Sequence, residues 1–162
     1  MNVYALLSHL HSVNRWLVLL FVVWAIVAAV TRRGSLNVAD TVGARAVLPK
    51  GALPAFITTH IQLLLGLILY FAALAGLPSV GSPYVIMDEE AWADPILRFY
   101  SVTHFSWMLA AVVIITVGYV VAKRRRTTAQ ANWWILVSYT LALVLMLVAI
   151  PWPWRDLGGG WY

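Results

Sequence analysis

Apolar residues fall into four long runs separated by short polar stretches. A helix that crosses a bilayer needs about 20 mostly apolar residues. The pattern predicts four such helices, over about 3–31, 53–77, 99–122 and 132–150. The first has its apolar centre from Val13 to Val30, with an amphipathic lead-in from Val3. Thr31-Arg32-Arg33-Gly34 ends it, Pro49 to Pro54 precedes the second, and Gly76-Leu77-Pro78 closes the second. Lys123 to Arg126 ends the third, and Pro151 and Pro153 stop the fourth, because proline cannot continue a helical hydrogen-bond ladder.

Composition agrees with the pattern. Hydrophobic residues make up 62% of the 162 positions, well above the ~45–50% of a soluble domain. A water-soluble fold of this length would expose large apolar patches and aggregate. The expected architecture is therefore all-α: one transmembrane domain spanning 1–162, an integral membrane four-helix bundle. Several of the nine Trp (Trp92, Trp133, Trp134, Trp152, Trp154 and Trp161) sit where apolar runs meet polar sequence, as an interfacial aromatic belt requires.

Orientation follows from the basic residues. Eight of the eleven Lys and Arg lie in the first and third connections: Arg32, Arg33, Arg45, Lys50, Lys123, Arg124, Arg125 and Arg126. The opposite side holds Arg15, Arg98 and Arg155 together with Asp88, Glu89, Glu90, Asp94 and Asp156. The positive-inside rule places the basic side in the cytoplasm, with both termini and the loop 78–98 outside. That loop is long enough to fold over the mouth of the bundle and to carry a short interfacial helix around Glu89 to Tyr100. The first run lacks a basic leader, so it reads as a retained helix and not as a cleaved signal. The net charge of +5 comes from these short loops and does not point to nucleic acid.

The chemistry-bearing residues are few. With no Cys, thiolate metal sites, iron–sulfur clusters and covalently attached c-type haem are excluded. Four His remain: His9, His11, His60 and His104. At ~1.5 Å per residue, His11 stands roughly 30 Å from Arg32 and His104 roughly 28 Å from Lys123, so the two match in depth near the outer face. Two imidazoles at one level on different helices can clamp a haem iron from both sides. The alternative is that both are polar residues in the headgroup zone. His9 and His11 point about 200° apart, so only one faces the bundle. His11 is the expected one, because it shares a face with Arg15.

His60 enters the second helix roughly 10 Å from the basic edge and cannot reach the same iron. The cluster Thr58-Thr59-His60-Gln62 is dense for a membrane helix. It reads either as a quinone or proton site, or as helix–helix glue with His60 bonded to a backbone carbonyl or to a neighbour such as Thr59. Gly66, one turn beyond Gln62, would admit another backbone or a flat cofactor. Arg15, Arg98 and Arg155 are candidate partners for haem propionates, with interfacial anchoring as the alternative for the last two.

The chain resembles small bacterial four-helix membrane proteins known as cytochrome B. His11-Ser12 with Arg15-Trp16, the stretch His60 to Tyr70 (HIQLLLGLILY), His104, and Ile150 to Arg155 (IPWPWR) carry the likeness, which runs nearly end to end. It implies haem b and electron transfer in or beside a respiratory chain of the bacterial inner membrane, with respiratory subunits as partners. It favours His11 over His9 and gives His60 a role. The alternative function is a non-catalytic transmembrane subunit that assembles or stabilises a larger complex. Carboxylate-based ion transport has no support, because no acidic residue lies within a predicted span. Hydrolytic chemistry lacks any recognisable motif.

Overall fold

The computed structural model describes residues 3–32, 46–74, 89–125 and 127–157. These form α1 (Val3–Arg32), α2 (Ala52–Leu74), α3 (Glu89–Ala93), α4 (Pro95–Arg98), α5 (Phe105–Lys123) and α6 (Thr128–Ala149). A π-helical turn, Phe99–His104, joins α4 to α5, and a 3-10 turn, Pro153–Arg155, follows α6. There is no strand among the described residues. Among the described residues, four helical runs are long and apolar enough to cross a membrane: Val3–Arg32, Ala52–Leu74, Pro95–Lys123 and Thr128–Ala149.

Local chemistry sets the helix ends. Gly51 adopts φ +88°, open to glycine at little cost, and its α-carbon faces the α1 backbone. A Cβ there would lie 2.8 Å from the Ala25 nitrogen, so glycine lets the start of α2 press against α1. Asp94 caps α4, accepting from the Ile96 N–H at 2.7 Å, with Pro95 in the first turn. Thr127 caps α6 in the same way, accepting from the Gln130 N–H at 3.3 Å. That cap starts α6 at Thr128, ahead of the Trp133-Trp134 pair at which the apolar pattern becomes dense. The third span likewise begins at Pro95, because α4 and the π-turn run into α5 without a break. The residues 75–88, which include most of the expected external loop, lie outside the described residues.

α1 packs on α2 and α6, and α5 packs on α6 and α2. The four long helices thus stand in the order α2–α1–α6–α5, with α1 and α5 diagonally opposed. Small residues dominate the contact surfaces: Ala25, Ala29, Ala52, Ala55, Ala111 and Ala142 are fully buried. A Cβ on Gly118 would collide with the side chain of Ser138, so glycine is what brings α5 against α6. Close backbone approach replaces the missing hydrophobic drive between helices in lipid. The outward faces carry Leu20, Leu64, Ile68, Val117, Val144 and Val148, all at least half exposed. Apolar residues outside and small or polar ones inside suit a chain solvated by hydrocarbon.

Candidate functional site

The inward stripe of α1 runs Asn14, Val18, Val22, Ala25, Ala29, and His11 continues it one turn earlier. His9, two residues back, is exposed. On the diagonal helix, His104 closes the π-turn, where an i→i+5 turn accommodates an extra residue and changes which side chains face inward. Phe99 and Ser101 of that turn are buried. The His11 and His104 rings meet across the bundle, with centroids 6.4 Å apart and planes at 64°.

All four long helical runs contribute to this meeting point. The Nδ1–H of His104 donates to the Ala149 carbonyl at the end of α6, at 2.9 Å. That bond sets the neutral tautomer and leaves Nε2 as the ring's lone-pair nitrogen. On α2, Gly66 faces the His11 ring: a Cβ there would stand 3.2 Å from Cε1. His11 Nδ1 is buried and has no hydrogen-bond partner. Tyr100 lies beside His104, with ring centroids 6.1 Å apart. Its hydroxyl donates to the Leu157 carbonyl at 3.0 Å, tying the chain after α6 over this end. Tyr70 of α2 stacks on Phe105 of α5 at 4.6 Å, closing the seam alongside.

Below the rings, toward the basic end, lies a polar relay. Asn14 Nδ2 donates to the Thr58 carbonyl at 3.0 Å and to Gln62 Oε1 at 2.7 Å. Gln62 Nε2 in turn donates to the His11 carbonyl at 3.0 Å. Gln62 therefore fastens the backbone that carries His11, and both of its amide atoms are used within the protein. Asn14 belongs to this network and was not singled out from the sequence. Its signal was there: a polar residue one turn from His11 in an otherwise apolar run.

His60 stands apart, six residues before Gly66 and so roughly 9 Å nearer the basic end. Its Nδ1–H donates to the Phe56 carbonyl at 2.7 Å, and its Nε2 pairs with the Thr116 hydroxyl of α5 at 3.2 Å. Of the two kinds of partner expected from sequence, the backbone carbonyl is used and Thr59 is not. Thr59 lies on the buried face beside Ala52 and Ala55, whereas His60 turns toward α5, where Phe56 stacks on it at 4.2 Å.

The three outer arginines diverge. Arg15 holds its guanidinium 5.2 Å from the Trp16 ring centre. Arg155 lies over Phe99 at 5.2 Å and donates to the Val148 and Ile150 carbonyls, which satisfies the open end of α6. Arg98 is exposed. Aromatic rings roof this end: Trp16 lies 6.2 Å from Trp152, which stacks on Trp154 at 5.0 Å with planes 5° apart.

No family model, curated protein or solved structure matches this chain. What the site can do must be read from its own groups. Among the described residues, no three His, Asp or Glu converge as a bare metal ion would require. The site offers two imidazoles facing across the bundle, glycine beside one, and a carbonyl fixing the other.

Proposed function

We propose that this protein is a b-type haem membrane cytochrome that passes electrons in or beside a respiratory complex of the bacterial cytoplasmic membrane. The observation that carries this reading is the His11–His104 pair. A metal–imidazole bond is about 2 Å long, and the ring centre lies about 1 Å beyond the nitrogen, so two trans imidazoles have centres roughly 6 Å apart. The 6.4 Å between the two ring centres suits that spacing. A porphyrin supplies four of an iron's six ligands, so two side chains suffice where a bare ion would need more.

The surrounding groups fit the same assignment. A ligating His usually donates its second nitrogen to a carbonyl or carboxylate, as His104 does to Ala149. His11 carries an orphaned buried nitrogen, which is costly unless a partner is supplied. Gly66 leaves room for the His11 ring, which a Cβ would crowd at 3.2 Å. When bound, haem would supply one-electron redox chemistry. His11 and His104 would hold it, Gln62 and Asn14 would fix the His11 backbone, and Arg15 is the nearest candidate for a propionate. Both polar ends of His60 and Gln62 have protein partners, so the structure offers no argument for a quinone at that level.

The topology proposed with this reading has both termini outside. Arg32, Lys50, Lys123, Arg124 and Arg125 gather at one end of the bundle and the His pair at the other. The basic end would face the cytoplasm and the redox site the outer leaflet. The test is a pyridine haemochrome assay and a reduced-minus-oxidised spectrum on detergent-purified protein. We expect one haem b, with the difference band lost in His11→Ala and His104→Ala and kept in His9→Ala. A full band in both of the first two variants overturns the assignment. Folded protein that carries no haem but purifies with large membrane partners would favour the accessory-subunit reading.

A further inference from the structure

At the basic end, remote from the His pair, the outer face of α1 and the segment before α2 enclose a groove of about 420 Å³. Its walls are apolar, formed by Trp24, Val27 and Ala28 of α1 and by Leu48. Its rim is cationic. Arg32 NH1 donates to the Val47 and Leu48 carbonyls, which holds that guanidinium at the mouth. Lys50 is exposed and makes no hydrogen bond or ion pair among the described residues. The described acidic residues, Glu89, Asp94 and Asp156, all stand at the opposite end.

We propose that this groove is a binding site for one anionic phospholipid, its phosphate held between Lys50 and Arg32 and an acyl chain laid against Trp24, Val27 and Ala28. Three properties select that occupant. The groove opens on a face whose neighbouring side chains, such as Val23, Val27 and Val30, are half exposed and apolar, where a bilayer supplies the surrounding medium. An apolar trough ending in two cations matches a molecule that is a hydrocarbon at one end and an anion at the other. Basic pockets at this level of membrane bundles recognise acidic headgroups by the same charge complementarity. Arg32 is already fixed by carbonyls of the segment it faces, so ordering it costs the bound state little. A zwitterionic headgroup would bring its own cation to the same rim and lose most of the attraction. The site does not depend on haem.

Native mass spectrometry of the full chain in detergent, titrated with phosphatidylglycerol or phosphatidylcholine of matched acyl chains, tests this. The expected result is preferential retention of phosphatidylglycerol by wild type. Lys50→Gln should lower that preference about fivefold, the effect of one surface cation facing an anionic lipid, and Lys50→Arg should retain it. Lys123→Gln removes an equal charge at the same end but outside the groove, and should leave the preference unchanged. Ala28→Trp should fill the trough and weaken both lipids. If the Ala28 variant does not fold, the Lys50 and Lys123 comparison carries the test alone. Equal retention of the two lipids overturns the proposal, as does an equal loss in Lys50→Gln and Lys123→Gln. Displacement of the lipid by soluble glycerol phosphate would mark an adventitious phosphate site and also overturns it.

Discussion

Two histidines separated by 93 positions in the chain bring their ring centres to 6.4 Å because each is the inward residue of its own turn. Around them the polar atoms are well used, with His104, Gln62 and Asn14 each bonded across helices. Besides His11 Nδ1, a whole amide at the other end lacks partners. Asn132 on α6 is fully buried, and neither of its amide atoms has a partner. An unsatisfied buried amide costs about 1–3 kcal/mol, whereas an apolar replacement of similar shape removes that cost. Asn132→Leu is therefore expected to raise the thermal midpoint of the detergent-solubilised protein. A lowered midpoint, followed by fluorescence or circular dichroism, would mean that the amide is satisfied by an internal water or a bound molecule.

The elements are held in register by polar bonds and by small residues more than by apolar bulk. α1 and α2 meet through Asn14, Gln62 and the Thr58 and His11 carbonyls, and α2 meets α5 through His60 and Thr116. Such bonds in membrane bundles average about 0.6 kcal/mol and reach about 1.7. The Asn14–Gln62 bond, at 2.7 Å and half-buried, belongs in that range. A double-mutant cycle with Asn14→Leu and Gln62→Leu, measured by unfolding in mixed detergent, should return a coupling of about 1 kcal/mol. A coupling near zero would mean that packing alone sets the register of these two helices. The π-turn has a comparable role on the third span. Its wider turn sits where His104 must face α6, and the buried Phe99 and Ser101 lock it.

For the whole molecule, the arrangement is a polar gradient along the bundle. Among the described residues, Arg32, Lys50, Lys123, Arg124 and Arg125 stand at one end, while the His pair, Glu89, Asp94, Asp156 and the stacked tryptophans stand at the other. The absence of Cys makes the proposed orientation directly measurable, since any introduced thiol is unique. Asp156→Cys should react with an impermeant maleimide on intact spheroplasts. Gln130→Cys should react only after the membrane is opened. The reverse pattern would invert the topology and move the His pair to the cytoplasmic leaflet.

Spans, helix count and the segregation of charge could be read from the chain itself. Each depends on one-dimensional spacing: the bilayer sets a length, proline and arginine mark the ends, and the uneven spread of Lys and Arg sets a direction. Depth matching of His11 and His104 was legible for the same reason, because rise per residue is constant in a helix. What spacing could not supply was azimuth. Whether the two rings face each other depends on which helices are diagonal, and on the extra residue of the π-turn, which no periodicity announces. The partners of His60, the capping role of Arg155 and the buried, unpaired Asn132 also depend on how four helices rotate against one another. Rotation is decided by glycine and alanine contacts summed over the bundle, and those contacts exist only once the helices have packed.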